Sequence, residues 1–212
     1  MKAIPIFEPE RVMTEAEYLI FEDAAETKHE FVDGLVYDWP GYEQRPNGHA
    51  GTPRTHNGLQ VNIVAALAAP AAAAGCAAYG SDMRLRVRLR RGERQTTRYY
   101  YPDAMVLCDQ ELRPELGDDE MHVTRPCVIV EILSRGSGRI DRGEKLDVYQ
   151  SLPSVQAYLI VHQQLRRVER WWRDTSGAWQ TATHTSDAVP IACIGFDLPL
   201  DTIYAGVLPP VS

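Results

Sequence analysis

Cys127-Val128-Ile129-Val130-Glu131-Ile132-Leu133-Ser134 decides the fold. It is an apolar run of strand length, followed by a glycine-containing loop at 134–140. A run without polar alternation reads as a strand covered on both faces, the central strand of an α/β or α+β sheet. Glu131 stands in its middle, and a buried carboxylate is costly unless a cation or a hydrogen-bond network compensates it. A second segment has the same character. Tyr101-Pro102-Asp103 puts a carboxylate just after a proline, inside the apolar stretch Tyr99–Cys108. Two such carboxylates on neighbouring strands suggest a divalent metal site, and Lys145 follows on the next helix. Asp, Glu and Lys in that order is the chemistry of a metal-dependent phosphodiesterase.

The surrounding sequence supplies the frame. Thr14-Glu15-Ala16-Glu17 is a capping box that opens a helix to about Ala25. His29 to Asp38 reads as a hairpin about Asp33-Gly34. Residues 40–53, rich in Gly, Pro and Asn, read as a loop and a candidate active-site flap. Thr55 or Asn57 caps a second helix, Leu59 to about Ala74, which Pro70 kinks or ends. Met83 to Arg90 alternates strictly, with Met83, Leu85, Val87 and Leu89 opposite Arg84, Arg86, Arg88 and Arg90, as in a half-buried strand. Tyr99 to Cys108 reads as its returning partner and carries Asp103. Asp141 and Glu144 read as capping residues of a helix to about Leu152, with Lys145 at its fourth position. A strand at Val155–His162 and a hairpin about 174–177 follow. The expected class is therefore α/β (α+β), a central mixed β-sheet flanked by helices, in one domain over residues 1–212.

The net charge of -7 argues against loose, sequence-blind nucleic-acid binding. The charge is uneven, however: seven arginines lie between Arg84 and Arg98 against one acid, Glu93. That stripe is a solvated face, part of a dimer interface, or a DNA contact through Arg84, Arg86 and Arg88. Only three lysines occur among 22 basic residues, Lys2, Lys28 and Lys145. A site that needs an amine specifically would retain one of them. The four cysteines (76, 108, 127, 193) show no CxxC spacing. They read as small core residues of a reducing cytoplasm. The six histidines form no close metal-type pair, so zinc is not expected. Residues 1–9 show no signal-peptide core, and the alanine-rich stretch 63–78 is too short and too interrupted to span a membrane.

Each candidate has a plainer alternative. Asp103 could end a bulge after Pro102. Glu131 could pair with Arg84 or Arg86. Lys145 could face solvent, and Glu30, near a helix-to-strand junction, could be a surface residue rather than part of a metal shell. Tyr149 reads as core or as a hydroxyl lining the site, and His56 as a cap or a phosphate neighbour.

Five segments in order, His29–Gly34, Tyr101–Leu107, Cys127–Ser134, Asp141–Leu152 and Ala157–Val161, resemble a bacterial family of inferred restriction endonucleases. That family is abundant in cyanobacteria and lies within the PD-(D/E)XK nuclease superfamily. The resemblance covers about Thr14 to Ile203. It implies a restriction-endonuclease-like fold, Mg²⁺ dependence with Mn²⁺ as an alternative, a DNA substrate and a homodimer. It maps the PD element onto Pro102-Asp103, the acidic element onto Glu131, and a further carboxylate onto Glu30. One departure stands out: the position two after Glu131 is Leu133 rather than Lys, so the lysine would come from the following helix as Lys145. The expected function is DNA endonuclease activity. The alternative is a catalytically inactive nuclease-fold module that binds DNA or a protein partner.

Overall fold

The computed structural model describes residues 11–38, 54–108, 121–133 and 138–209. The expected flap at 40–53 lies outside the described residues. Among the described residues the order is β1 (Arg11–Val12), α1 (Glu15–Asp23), β2 (His29–Val32), β3 (Leu35–Asp38), α2 (Arg54–Ala73), β4 (Ala77–Gly80), β5 (Arg84–Arg91) and β6 (Arg94–Tyr100). Then come β7 (Ala104–Leu107), β8 (His122–Val123), β9 (Pro126–Ile132), α3 (Gly138–Ile140), a π-helical turn (Asp141–Lys145), α4 (Leu146–Ser151) and β10 (Ala157–Val161). The chain continues as β11 (Val168–Arg173), β12 (Trp179–His184), β13 (Ala188–Ile191), a short 3₁₀ turn, β14 (Phe196–Pro199) and α5 (Leu200–Tyr204).

Local chemistry explains the first elements. Thr14 accepts from the Glu17 amide, and the Glu17 side chain accepts from the Thr14 amide, so both open donors at the start of α1 are satisfied. Asp33 and Gly34 both take positive φ, which lets β2 turn directly into β3. In α2, Leu59, Ile63, Leu67 and Ala71 form the buried stripe. The helix starts at Arg54, earlier than expected, so neither Thr55 nor Asn57 is its cap. Pro70 lies inside it and does not end it, because its missing amide falls in the last turn and costs one hydrogen bond.

The class is mixed α+β as expected, with two six-stranded sheets, ordered β1-β3-β2-β6-β5-β8 and β12-β11-β10-β9-β7-β4. The stretch Tyr99–Cys108 corrects the sequence reading. It is not one strand: β6 pairs with β5 in the first sheet, and β7 pairs with β4 and β9 in the second. Pro102 cannot donate to a ladder, so Tyr101-Pro102-Asp103 is where the chain changes sheets. The last of these three residues is the carboxylate.

All seven residues of β9 are buried. One apolar cluster, built from α2, α5 and the β13–β14 pair, covers one face of the second sheet. Another, with Leu85, Val87, Tyr100, Val148 and Tyr149, covers the other. β9 runs parallel to β10, and that arrangement requires the intervening crossover through α3, the π turn and α4. The helix already begins at Gly138, so Asp141 does not cap it; Asp141 is buried in its π turn.

The cysteines depart from expectation as well. Cys76 and Cys108 form a disulfide. The cause is strand pairing: β4 and β7 lie antiparallel with Ala77 opposite Leu107, so the residues flanking that pair meet.

Candidate active site

Four elements deliver the site. Glu131 points from β9 into the cluster shared with α4. Ala104 of β7 lies opposite Val130 of β9, which sets Asp103 beside Glu131 at the sheet-changing break. Glu30 comes from β2, the inner strand of the first hairpin. Lys145 ends the π turn, a helix irregularity found often at functional sites.

The Lys145 ammonium is the centre. Its Nζ lies 2.9 Å from Glu30 Oε1, 3.1 Å from Glu131 Oε1 and 3.9 Å from Asp141 Oδ1. The bond to Glu131 is aligned as a hydrogen bond; Glu30 Oε1 has no aligned donor among the described residues. Tyr149 donates its hydroxyl to the same Glu131 oxygen at 2.9 Å. Asp103 is held from two sides. Its Oδ2 accepts from the Ile132 amide at 2.6 Å, and its Oδ1 lies 2.7 Å from His56 Nε2. Gln163 donates to the Leu133 carbonyl at 2.6 Å and stands 3.2 Å from His56 Nδ1. With the amide in that orientation, neutral His56 carries its proton on Nε2 and donates it to Asp103.

Glu30, Asp103, Glu131 and Lys145 are each at most 5% exposed. Burial pushes the Glu131 carboxyl well above the usual range. Lys145 opposes that shift, while Asp141, Asp103 and Glu30 add to it. Burial alone would lower Lys145, but the charges of Glu131, Glu30 and Asp141 outweigh it and hold the ammonium well above its ordinary value. Burial, and then Glu131, pushes the Tyr149 hydroxyl up as well, so it stays a donor.

The donor set suits a hard divalent cation. Glu30 and Glu131 share one ammonium, and Asp103 stands opposite Glu131 and adds its charge there, so carboxylates outnumber the single ammonium. Glu30, Asp103 and Glu131 are the residues that would hold such an ion.

A family model described as "Putative restriction endonuclease", Uma2, matches residues 15–201. The chain belongs to the Uma2 family. An uncharacterized protein of Synechocystis, slr1290, is 27% identical over 192 residues, covering 90% of each chain. Another Synechocystis protein, sll1609, is 30% identical over 170 residues, covering 80% of this chain and 85% of that one. The fold is similar to the crystal structure of a "putative nuclease belonging to DUF820" from Anabaena variabilis. The two share 15% identity with a TM-score of 0.65, over 91% of this chain and 98% of that one.

In this Uma2 chain Glu30, Asp103, Glu131 and Lys145 come together. Arg84, Arg86 and Arg88 do not join them. Arg84 is buried against Asp23 and the Met121 carbonyl, Arg86 is half-buried and Arg88 is exposed. The cation beside Glu131 is Lys145 rather than Arg84 or Arg86. Glu144 bonds Arg98 and Tyr100 instead of capping a helix. Sequence reasoning read Asp141 as a helix cap and gave His56 no firm role. A signal for His56 existed: it continues the buried stripe Leu59, Ile63, Leu67, where a polar residue needs a partner. No local pattern marks Gln163.

Proposed function

We propose that this Uma2 chain is a metal-dependent endonuclease that hydrolyses DNA phosphodiester bonds. In this reading Glu30, Asp103 and Glu131 hold Mg²⁺, with Mn²⁺ as an alternative. The observation that carries it is the charge imbalance: carboxylates from β2, β9 and the π turn surround one buried ammonium, and Asp103 adds its charge beside Glu131. A divalent ion there supplies a Lewis acid to a phosphate oxygen and a lowered pKa to a bound water. The protein's own groups do the rest. Lys145 is a fixed point charge for the negative oxygens of the transition state. His56 and the Ile132 amide fix the Asp103 carboxylate, and Tyr149 fixes that of Glu131, so neither must reorganise. Double-strand cleavage needs two such sites, which a homodimer provides. Exposed Arg88 and half-buried Arg86 on β5 offer charge to the phosphate backbone.

The test is cleavage of supercoiled plasmid in Mg²⁺ by wild type and by the Asp103→Ala and Glu131→Ala variants. Cleavage should vanish in both variants while far-UV circular dichroism is retained. Cleavage retained in both refutes the assignment. The second reading, a catalytically inactive nuclease-fold module that binds DNA or a protein partner, draws on the near-complete burial of the four side chains. It predicts no Mn²⁺ or Mg²⁺ binding to wild type by calorimetry.

A further inference from the structure

All four cysteines of the chain meet at one place, on the face of the second sheet opposite Lys145. Cys76 follows α2, Cys108 follows β7, Cys127 is in β9 and Cys193 is in the 3₁₀ turn after β13. Cys108 Sγ lies 3.1 Å from Cys127 Sγ, and Cys127 Sγ lies 2.9 Å from Cys193 Sγ. The sulfurs of Cys108, Cys127 and Cys193 all lie within 4.8 Å of one another. Cys76 joins them through its bond to Cys108. Four cysteines from four separate segments do not converge by local sequence preference, since no two share a turn.

We propose that in the reduced chain these four thiolates bind one zinc ion, as a structural site separate from the carboxylate centre. Thiolates are soft donors, and four of them in a closed shell select zinc over the hard cations that carboxylates hold. Tetrahedral ligation at a zinc–sulfur distance of about 2.3 Å sets the sulfurs about 3.8 Å apart. The Cys108–Cys127 and Cys127–Cys193 pairs would open by under about 1 Å to reach it, and the Cys76–Cys108 pair, once reduced, by about 2 Å. Each thiol gives up a proton to solvent on binding. The chain is synthesised with all four as thiols, so metal capture competes with closure of the Cys76–Cys108 bond. Solvent reaches the cluster: a cavity of about 340 Å³ opens beside Cys193, lined also by Ala192, Arg170, Trp172 and Arg173. Arg170 Nε is buried and has no hydrogen-bond partner among the described residues. A guanidinium so placed suits the negative charge of a tetrathiolate. The site would tie α2, β7, β9 and the turn after β13 into one unit. The separation from Glu131 is four residues along β9, about 13 Å.

The experiment is metal analysis of the full chain purified under a phosphine reductant, then replacement of zinc by Co²⁺ with excess Mg²⁺ present. We expect about one zinc per chain. The cobalt form should show sulfur-to-cobalt charge-transfer absorption and tetrahedral ligand-field bands. Zinc content should fall at least tenfold in Cys127→Ser and in Cys193→Ser, and stay unchanged in Glu131→Gln, which separates this site from the carboxylate one. The wild-type cobalt spectrum answers the question even if the serine variants fail to fold. The proposal is overturned if wild type carries no zinc and all four thiols react freely. It is also overturned if zinc is lost in Glu131→Gln but kept in folded Cys127→Ser.

Discussion

Lys145 and Arg98 are both buried cations at Tyr100, the first over its ring and the second at its hydroxyl, yet their surroundings differ. Arg98 is matched: it forms two hydrogen bonds to Asp33, at 3.0 and 2.6 Å, and others to Glu144 and the Tyr100 hydroxyl. Burial works against its charge, but the Asp33 bonds and Tyr100 outweigh that and raise its pKa. Its acids keep about a third of their side-chain surface in water, at 32% and 30% exposed, so the pair is a fastening between the first hairpin and the Lys145 helix. Lys145 is outnumbered. Three carboxylates face it within 3.9 Å, all of them buried. A matched ion centre stabilises a fold, whereas an unmatched one holds capacity for a further cation, a mark of functional sites.

The largest expected effect separates the two centres by activity. Asp103→Ala combined with Glu131→Ala should lower plasmid cleavage at least about 100-fold, the cost of losing metal ligation. Arg98→Met should leave cleavage within about tenfold of wild type and act mainly on stability. Equal losses in both would erase the distinction.

Stability should separate them next. Lys145→Met leaves buried carboxylates without their cation and should cost about 3–5 kcal/mol by urea unfolding. Arg98→Met, whose acids can turn to water, should cost about 1–3 kcal/mol. Millimolar Mg²⁺ should recover part of the first loss and none of the second.

A smaller effect is ligand-induced stabilisation of wild type. At 100-fold excess over its Kd, Mg²⁺ should add about 2.7 kcal/mol, visible as a rise in Tm that grows with concentration. The Asp103→Ala, Glu131→Ala double variant should show no such rise.

The smallest effect calibrates the matched case. Glu169 is held down to about 2, chiefly by its hydrogen bond to Arg142 and then by His162. A carboxyl with a depressed folded pKa contributes stability that is full above its unfolded value near 4.5 and lost as pH falls towards 2. Wild type should therefore lose stability between those values. Glu169→Gln should show a flatter acid limb in unfolding followed by circular dichroism.

Much of the site was legible because its parts are local anomalies. Glu131 in an apolar run and Asp103 after Pro102 are polar residues where burial is written into the neighbours. Lys145 was legible from lysine scarcity and from its place after β9. Some of the plainer alternatives do not hold: Lys145 and Glu30 are buried, and the cation beside Glu131 is not an arginine. Arg84 could not serve Glu131, because it is buried against Asp23 on the other side of the first sheet. Asp141 was read as a cap because Asp-Arg-Gly-Glu fits that pattern. The helix had in fact begun three residues earlier, and its π turn rotates Asp141 and Lys145 together into the core. The cysteines were read one at a time, and only the β4–β7 pairing and the turn after β13 bring their sulfurs together.

The sequence by itself determined the central strand, the hairpin turn, the capping box and the burial of Glu131, since each depends on the chemistry of adjacent residues. The tertiary structure decided that Tyr99–Cys108 divides between two sheets, that Lys145 sits at the centre of the acids, that His56 and Gln163 support Asp103, and that four cysteines share one locus. Those outcomes depend on which distant segments pair. Many pairings satisfy the same local preferences, and burial of both faces of β9 selects among them.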